Sequence, residues 1–162
     1  MSKSIELLNK AVADELQAVH QYMYFHFHLD DQGFGPLAGL FKRVAIEEMG
    51  HVEKLAERIL FLKGDVEMVT AGPIEKIHEP EKMLEKAAQM ETASARDYNL
   101  AAMECAANAD AGSRQIFEDL VRDEERHYDH FDKQRDNIGR FGLSYLALQS
   151  FGEPPKTGAR SA

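Results

Sequence analysis

Two segments of this chain place a carboxylate and an imidazole three residues apart, Glu48-Met49-Gly50-His51 and Glu124-Glu125-Arg126-His127. On a helix such a pair shares one face. Another glutamate stands 33 residues ahead of each motif, Glu15 before Glu48 and Glu91 before Glu124. One such match is commonplace, because glutamate is abundant on helix surfaces. Two at equal spacing, each inside a helical pattern, point to four helices converging on a pair of metal ions. A Glu from each of two helices with Glu-x-x-His from each of the other two makes a dinuclear carboxylate site. Glu48 and Glu124 would bridge the ions, while Glu15 with His51 and Glu91 with His127 would each terminate one.

Charge supports that reading. The six residues fall on stripes otherwise made of Leu, Val, Phe and Ile, with no Lys or Arg in their middle third. An unpartnered buried carboxylate costs several kcal/mol even after relaxation. Two divalent cations neutralise four carboxylates, and the oxygen and imidazole donors suit iron or manganese. A ferrous pair passes two electrons together to O₂ or peroxide, without one-electron products. Zinc acting only as a structural ion is the bland alternative, although structural zinc prefers Cys and His donors.

The helices that must carry these residues can be read in order. A first helix, capped by Ser2 or Ser4, runs to about Asp30 or Asp31. Its inward stripe is Ile5, Leu8, Val12, Glu15, Val19, Tyr22, His26 and Leu29. A second strip of Leu16, Met23 and Phe27 offers a surface to another subunit. Pro36 opens a second helix, striped by Leu37, Phe41, Val44, Glu48, His51, Leu55, Ile59 and Leu62 and closed by Gly64 as a left-handed cap. Residues 64–80 lack periodicity and form a crossover, long because it must traverse about 40 Å of helix. Pro80 opens the third helix, with Leu84, Ala87, Glu91, Ser94, Tyr98, Ala101 and Cys105 inward. Asp110 or Ser113 caps the fourth, which carries Phe117, Leu120, Glu124, His127, Phe131, Gln134 and Ile138 and ends near Gly139. Residues 143–151 form a short fifth helix, and 152–162 read as a mobile tail. Short, long and short connections define an all-α, ferritin-like four-helix bundle over residues 1–151.

Composition narrows the function classes. With 162 residues one domain is expected. A net charge of -9 argues against nucleic-acid binding. The single cysteine, Cys105, excludes an internal disulfide and Cys-rich metal sites, and its alanine-rich helix makes it a buried apolar thiol. No basic-plus-apolar leader or membrane-length apolar run is present, so a cytoplasmic protein is expected.

At these residues the sequence resembles bacterioferritin over about residues 1–150. The intervals of 33, 43 and 33 between the four glutamates match that family. So do the stretches Asp14–Tyr22, Glu57–Leu62 and Arg122–Glu125. The resemblance implies an iron-storage cage with ferroxidase activity, with Glu15, Glu48, His51, Glu91, Glu124 and His127 as di-iron ligands. It implies a 24-subunit shell built from dimers, with the fifth helix at the four-fold axes and a ferredoxin-type reductant for iron release. It further implies a haem b shared by two subunits through Met49 of each. Lys42 replaces an aromatic residue that the family commonly has near the haem. Arg43 replaces a histidine that in some members binds inner-surface iron with a carboxylate, here Glu47. Tyr22 matches a tyrosine near the di-iron centre, read equally as an electron source or a packed phenol. His26 reads as a satisfied polar core residue, and His20, His28, His78 and His130 as surface or interface. A rubrerythrin-like peroxide reductase is disfavoured by the single cysteine. A twelve-subunit miniferritin stays open.

Overall fold

The computed structural model describes Ser2–Gly152, so the expected tail lies, from residue 153 on, outside the described residues. Five helices follow one another: α1 Ser2–Asp31, α2 Gly35–Phe61, α3 Pro80–Ala107, α4 Ala111–Phe141 and α5 Ser144–Phe151. α1 packs along α2 and α3 along α4, and the two antiparallel pairs face each other through α1–α3 and α2–α4 contacts. The segment 62–79 is the crossover between pairs. α5 lies across the ends of α4 and α2, anchored by the buried Leu146.

The stops use local chemistry that the sequence reading partly missed. α2 closes with Gly64 N–H donating to Ile59 O (2.9 Å) and Lys63 N–H to Leu60 O (3.0 Å). That is a Schellman cap. Its left-handed residue is Lys63 (φ 65°), not Gly64 as expected. Gly64 is required for a different reason, since a Cβ there would sit 2.8 Å from Ile5 Cγ2. Asp110, one of the two candidate caps, accepts from Ser113 N–H at the start of α4. α4 runs past Gly139 to Phe141 and stops at Gly142 (φ 77°), whose conformation an L side chain resists.

The apolar core is split in two. One cluster gathers Phe25, Phe41, Met83 and Phe131, and the other Leu8, Leu55, Ile59 and Phe117. Between them lies a buried polar layer: Glu15, Glu48, His51, Glu91, Glu124 and His127. On α1 the stripe is rotated from expectation, with Ala18 and Phe25 buried where Val19 and His26 were read. His26 is partly buried, and its Nδ1 meets Ala38 O at 2.7 Å.

The crossover is held by amide side chains of α1. Asn9 donates to Asp65 O and accepts from Glu67 N–H. Gln17 bonds Pro73 O and Gly72 N–H in the same way, and Gln21 does so with Glu75 O and N–H. Each amide thus satisfies two backbone groups of an irregular segment, which would otherwise be poorly paired where buried. Gln21 is itself buried. Gln21→Ala is expected to cost about 1–3 kcal/mol. Amide hydrogen exchange at Glu75 should accelerate accordingly, whereas unchanged protection there would show the clip to be dispensable.

Candidate metal centre

Mid-helix positions on all four long helices deliver the six side chains to one layer. Each is at most 3% exposed. Two overlapping groups form, Glu15, Glu48, His51 and Glu124 in one and Glu48, Glu91, Glu124 and His127 in the other. In each, one ligand atom per residue lies within 4.8 Å of the rest. Glu48 and Glu124 belong to both groups. Glu48 Oε2 lies 3.0 Å from His51 Nδ1, and its Oε1 lies 3.0 Å from His127 Nδ1. Glu15 is 3.4 Å and Glu124 3.1 Å from His51 Nδ1, and Glu91 is 3.6 Å from His127 Nδ1. The imidazoles lie nearly parallel, 6.0 Å between centroids.

The outer contacts repeat the two-fold pattern. Tyr22 of α1 donates to Glu91 Oε1 of α3 (2.7 Å), and Tyr98 of α3 donates to Glu15 Oε1 of α1 (2.6 Å). Both phenols are buried. On the α2–α4 side, His51 Nε2–H donates to Asp123 Oδ2 (2.9 Å) and His127 Nε2–H to Glu47 Oε2 (2.7 Å). These carboxylates fix which nitrogen of each ring faces inward. Sequence alone does not assign these roles to Asp123, Glu47 or Tyr98: Glu47 reads only as the carboxylate of an inner-surface iron site, and Tyr98 only as an inward residue of the third helix. The signal was present: each half has an acid just before its Glu-x-x-His, and a tyrosine seven residues after its first glutamate.

Burial and close approach of like charges shift the titration of the whole layer. Burial, then the charges of Glu15, Glu91 and Glu124, push Glu48 well above the usual carboxylate range. Burial and Glu124 raise Glu15. Burial, then Glu91, pushes Glu124 up to about 7. Burial opposes charge on the imidazoles, but Glu124 and Glu15 push His51 up to about 11, and Glu91 pushes His127 up to about 9. Burial and mutual repulsion thus favour a proton on Glu48, and the neighbouring acids favour protons on both rings. Arg126 and then His127 hold Glu47 down at about 2.

What fits a metal is the arrangement of donors. Glu15 Oε2, Glu91 Oε2 and Glu124 Oε1 are buried and accept no hydrogen bond. Beside them stand the inward Nδ1 atoms. Hard carboxylate oxygens with borderline imidazoles are a donor set for first-row divalent ions.

The sign of the pH dependence follows. Raised pKa values of Glu124, His127 and His51 contribute stability that is complete at low pH. It is lost as pH rises through about 7, about 9 and about 11 respectively. The lowered values of Glu47 and Asp123 act oppositely, with their contribution complete above about pH 5. The thermal midpoint of the metal-free protein should therefore fall from pH 5 to pH 9. Bound divalent ion should raise it more at the higher pH, because binding displaces these protons. Calorimetry with and without Co²⁺ checks this; a midpoint rising across that range would contradict it.

Met49 does not join the layer. It lies half-exposed on α2, one turn from the exposed Ile46 and two from the exposed Lys42. The expected second strip of α1 is partly exposed at Leu16 and Met23 and open at Phe27.

A bundle with one long crossover and a carboxylate–imidazole layer at mid-height is the architecture of a ferritin-like domain, and that family's model matches residues 5–141. The bacterioferritin of Desulfovibrio desulfuricans is 36% identical over 99% of this chain and 89% of its own length. That of Rhodobacter capsulatus is 37% identical over 91% of each. The D. desulfuricans crystal structure, which describes a diiron site in different catalytic states, superposes with a TM-score of 0.91 at 36% identity, covering 99% of this chain and 93% of that one. The R. capsulatus structure, with a metal-free dinuclear site and a haem iron, gives 0.90 at 34% identity, covering 98% of each. The chain belongs to the bacterioferritin family.

Proposed function

We propose that this chain is the subunit of an iron-storing homo-oligomeric cage that oxidises Fe(II), its substrate, at the buried layer. The observation that carries the proposal is the pair of four-residue groups sharing Glu48 and Glu124. Glu48 and Glu124 bridge the two positions, Glu15 and His51 complete one, and Glu91 and His127 complete the other. A bound Fe(II) pair supplies two electrons at once to O₂ or peroxide, which is the chemistry of a ferroxidase. The protein's part is to hold the donors. Tyr22 and Tyr98 each fix one carboxylate oxygen of Glu91 and Glu15, leaving the other unbonded. Four carboxylates balance two divalent ions in charge, so oxidation starts from a neutral site.

Residues 1–151 act as one ferritin-like domain. The family resemblance supports a 24-subunit shell built from dimers, and the presence of α5 favours it over a twelve-subunit assembly. A haem b shared between two subunits through Met49 of each fits the half-exposed thioether. A ferredoxin-type donor would reduce stored iron. No helix among the described residues is long and apolar enough to cross a membrane, and a cytoplasmic location is our reading. Aerobic Fe(II) addition should consume oxidant and load far more than two irons per chain; saturation at two would reduce the protein to a binder. Met49→Leu should remove the Soret band of the purified protein, and a band insensitive to it would clear Met49 of ligation.

A further inference from the structure

Both inward-facing imidazoles are steered by carboxylates that meet at one cation. Arg126 of α4 reaches Glu47 of α2 at two oxygens, Nη2 to Oε2 at 2.6 Å and Nη1 to Oε1 at 3.3 Å. Its Nη2 also lies 3.3 Å from Asp123 Oδ1. Glu47 Oε2 receives Nε2–H of His127, and Asp123 Oδ2 receives Nε2–H of His51. The cross-over is reciprocal: α2 supplies the acid that holds the α4 histidine, and α4 supplies the acid that holds the α2 histidine. One guanidinium therefore braces the orientation of both rings. All three members are partly solvent-exposed, whereas both imidazoles are buried.

We infer that Arg126 is a positioning residue for the dinuclear site, fixing Glu47 and Asp123 so that His51 and His127 both present Nδ1 to the shared carboxylates. This rests on the two-metal reading above. Three roles for Arg126 give different signs. An exposed ion pair with no further role contributes almost nothing. A cation acting only through its charge repels divalent ions and lowers the basicity of the acids behind the rings, so its removal would tighten metal binding. A brace acts in the opposite sense, because freeing the acids frees the rings. Loss of an outer partner of a metal-binding histidine typically weakens affinity about 10–100-fold. The fork matters too: lysine keeps the charge but cannot span both acids with the same planar geometry.

The test is an anaerobic Co²⁺ titration of the full-length metal-free protein, followed by the visible bands of the bound ion. Wild type should take two ions per chain. Arg126→Ala should bind both about 10–100-fold more weakly, with altered Co²⁺ band intensities and an unfolding midpoint close to wild type. Arg126→Lys should recover only part of that loss. Unchanged or tighter binding by Arg126→Ala overturns the inference while leaving the two-metal reading intact. If the alanine variant does not assemble, the lysine variant decides, since full wild-type affinity there overturns a role for the fork. A wild type that binds fewer than two ions defeats the two-metal reading itself, independently of any variant.

Discussion

Glu48→Ala is expected to lower divalent-ion binding from two per chain to at most one and to slow initial Fe(II) oxidation at least about 100-fold. Glu48 is wholly buried and, among the described residues, is the one side chain whose two oxygens each touch a different site imidazole. Its loss strips a donor from both positions together and leaves two Nδ1 atoms without their nearest carboxylate. The bundle should persist. Burial and the charges of Glu15, Glu91 and Glu124 already oppose ionisation of Glu48, so its removal relieves the layer of a disfavoured charge. Stopped-flow oxidation with a parallel size measurement separates the two outcomes. A wild-type initial rate would end the bridging role of Glu48.

Asp110→Ala is expected to destabilise the subunit by about 3–5 kcal/mol, through a knot far from the metal layer. Asp110 caps α4 through Ser113 N–H. It also accepts from Arg58 Nη2 of α2 at 2.6 Å, while Arg58 Nε reaches Ser113 Oγ at 3.0 Å. The pair is mostly buried, 19% and 13% exposed, so losing one partner strands the other. A Cβ at position 112 would fall 2.6 Å from the Arg58 guanidinium, which would have to shift within this knot. Burial opposes the charge on Asp110, but the bonds from Ser113 and Arg58 hold it well below the usual aspartate range. Its contribution is therefore complete above about pH 4 and fades as pH falls further. The thermal midpoint should drop by about 6–20 °C in Asp110→Ala. Asp110→Asn, which keeps the cap and loses the charge, should show a smaller drop. Equal midpoints for Asp110→Asn and wild type would show that the cap, not the ion pair, holds this corner.

The six-residue layer was legible because its members interrupt apolar stripes. On α2 the sequence Leu37, Phe41, Val44, Glu48, His51, Leu55, Ile59 is the buried face as read. α1 was read less well. The buried set Leu8, Ala11, Glu15, Ala18, Tyr22, Phe25 and Leu29 follows the same alternation of three and four residues as the stripe that was read. Ala18 and Val19, like Phe25 and His26, both fit beside Glu15, Tyr22 and Leu29, and local periodicity does not choose between them. The crossover clips were hidden because Asn9, Gln17 and Gln21 look like surface residues until an irregular backbone lies over them. The bonds of Glu47 and Asp123 to the site histidines were hidden because an acid beside a buried glutamate normally faces water. Their role depends on the partner helix, which local periodicity does not specify. Gly64 was misread for a related reason. Its position marked the helix end correctly, but the close approach of Ile5 comes from the far end of α1.

Crystals of the protein loaded anaerobically with Fe(II), measured on both sides of the iron absorption edge, test the central assignment directly. The account predicts two anomalous peaks about 3.5–4 Å apart, both within bonding distance of Glu48 and Glu124, one also at Glu15 and His51 Nδ1 and the other at Glu91 and His127 Nδ1. A single peak, or iron found only outside the buried layer, would contradict it.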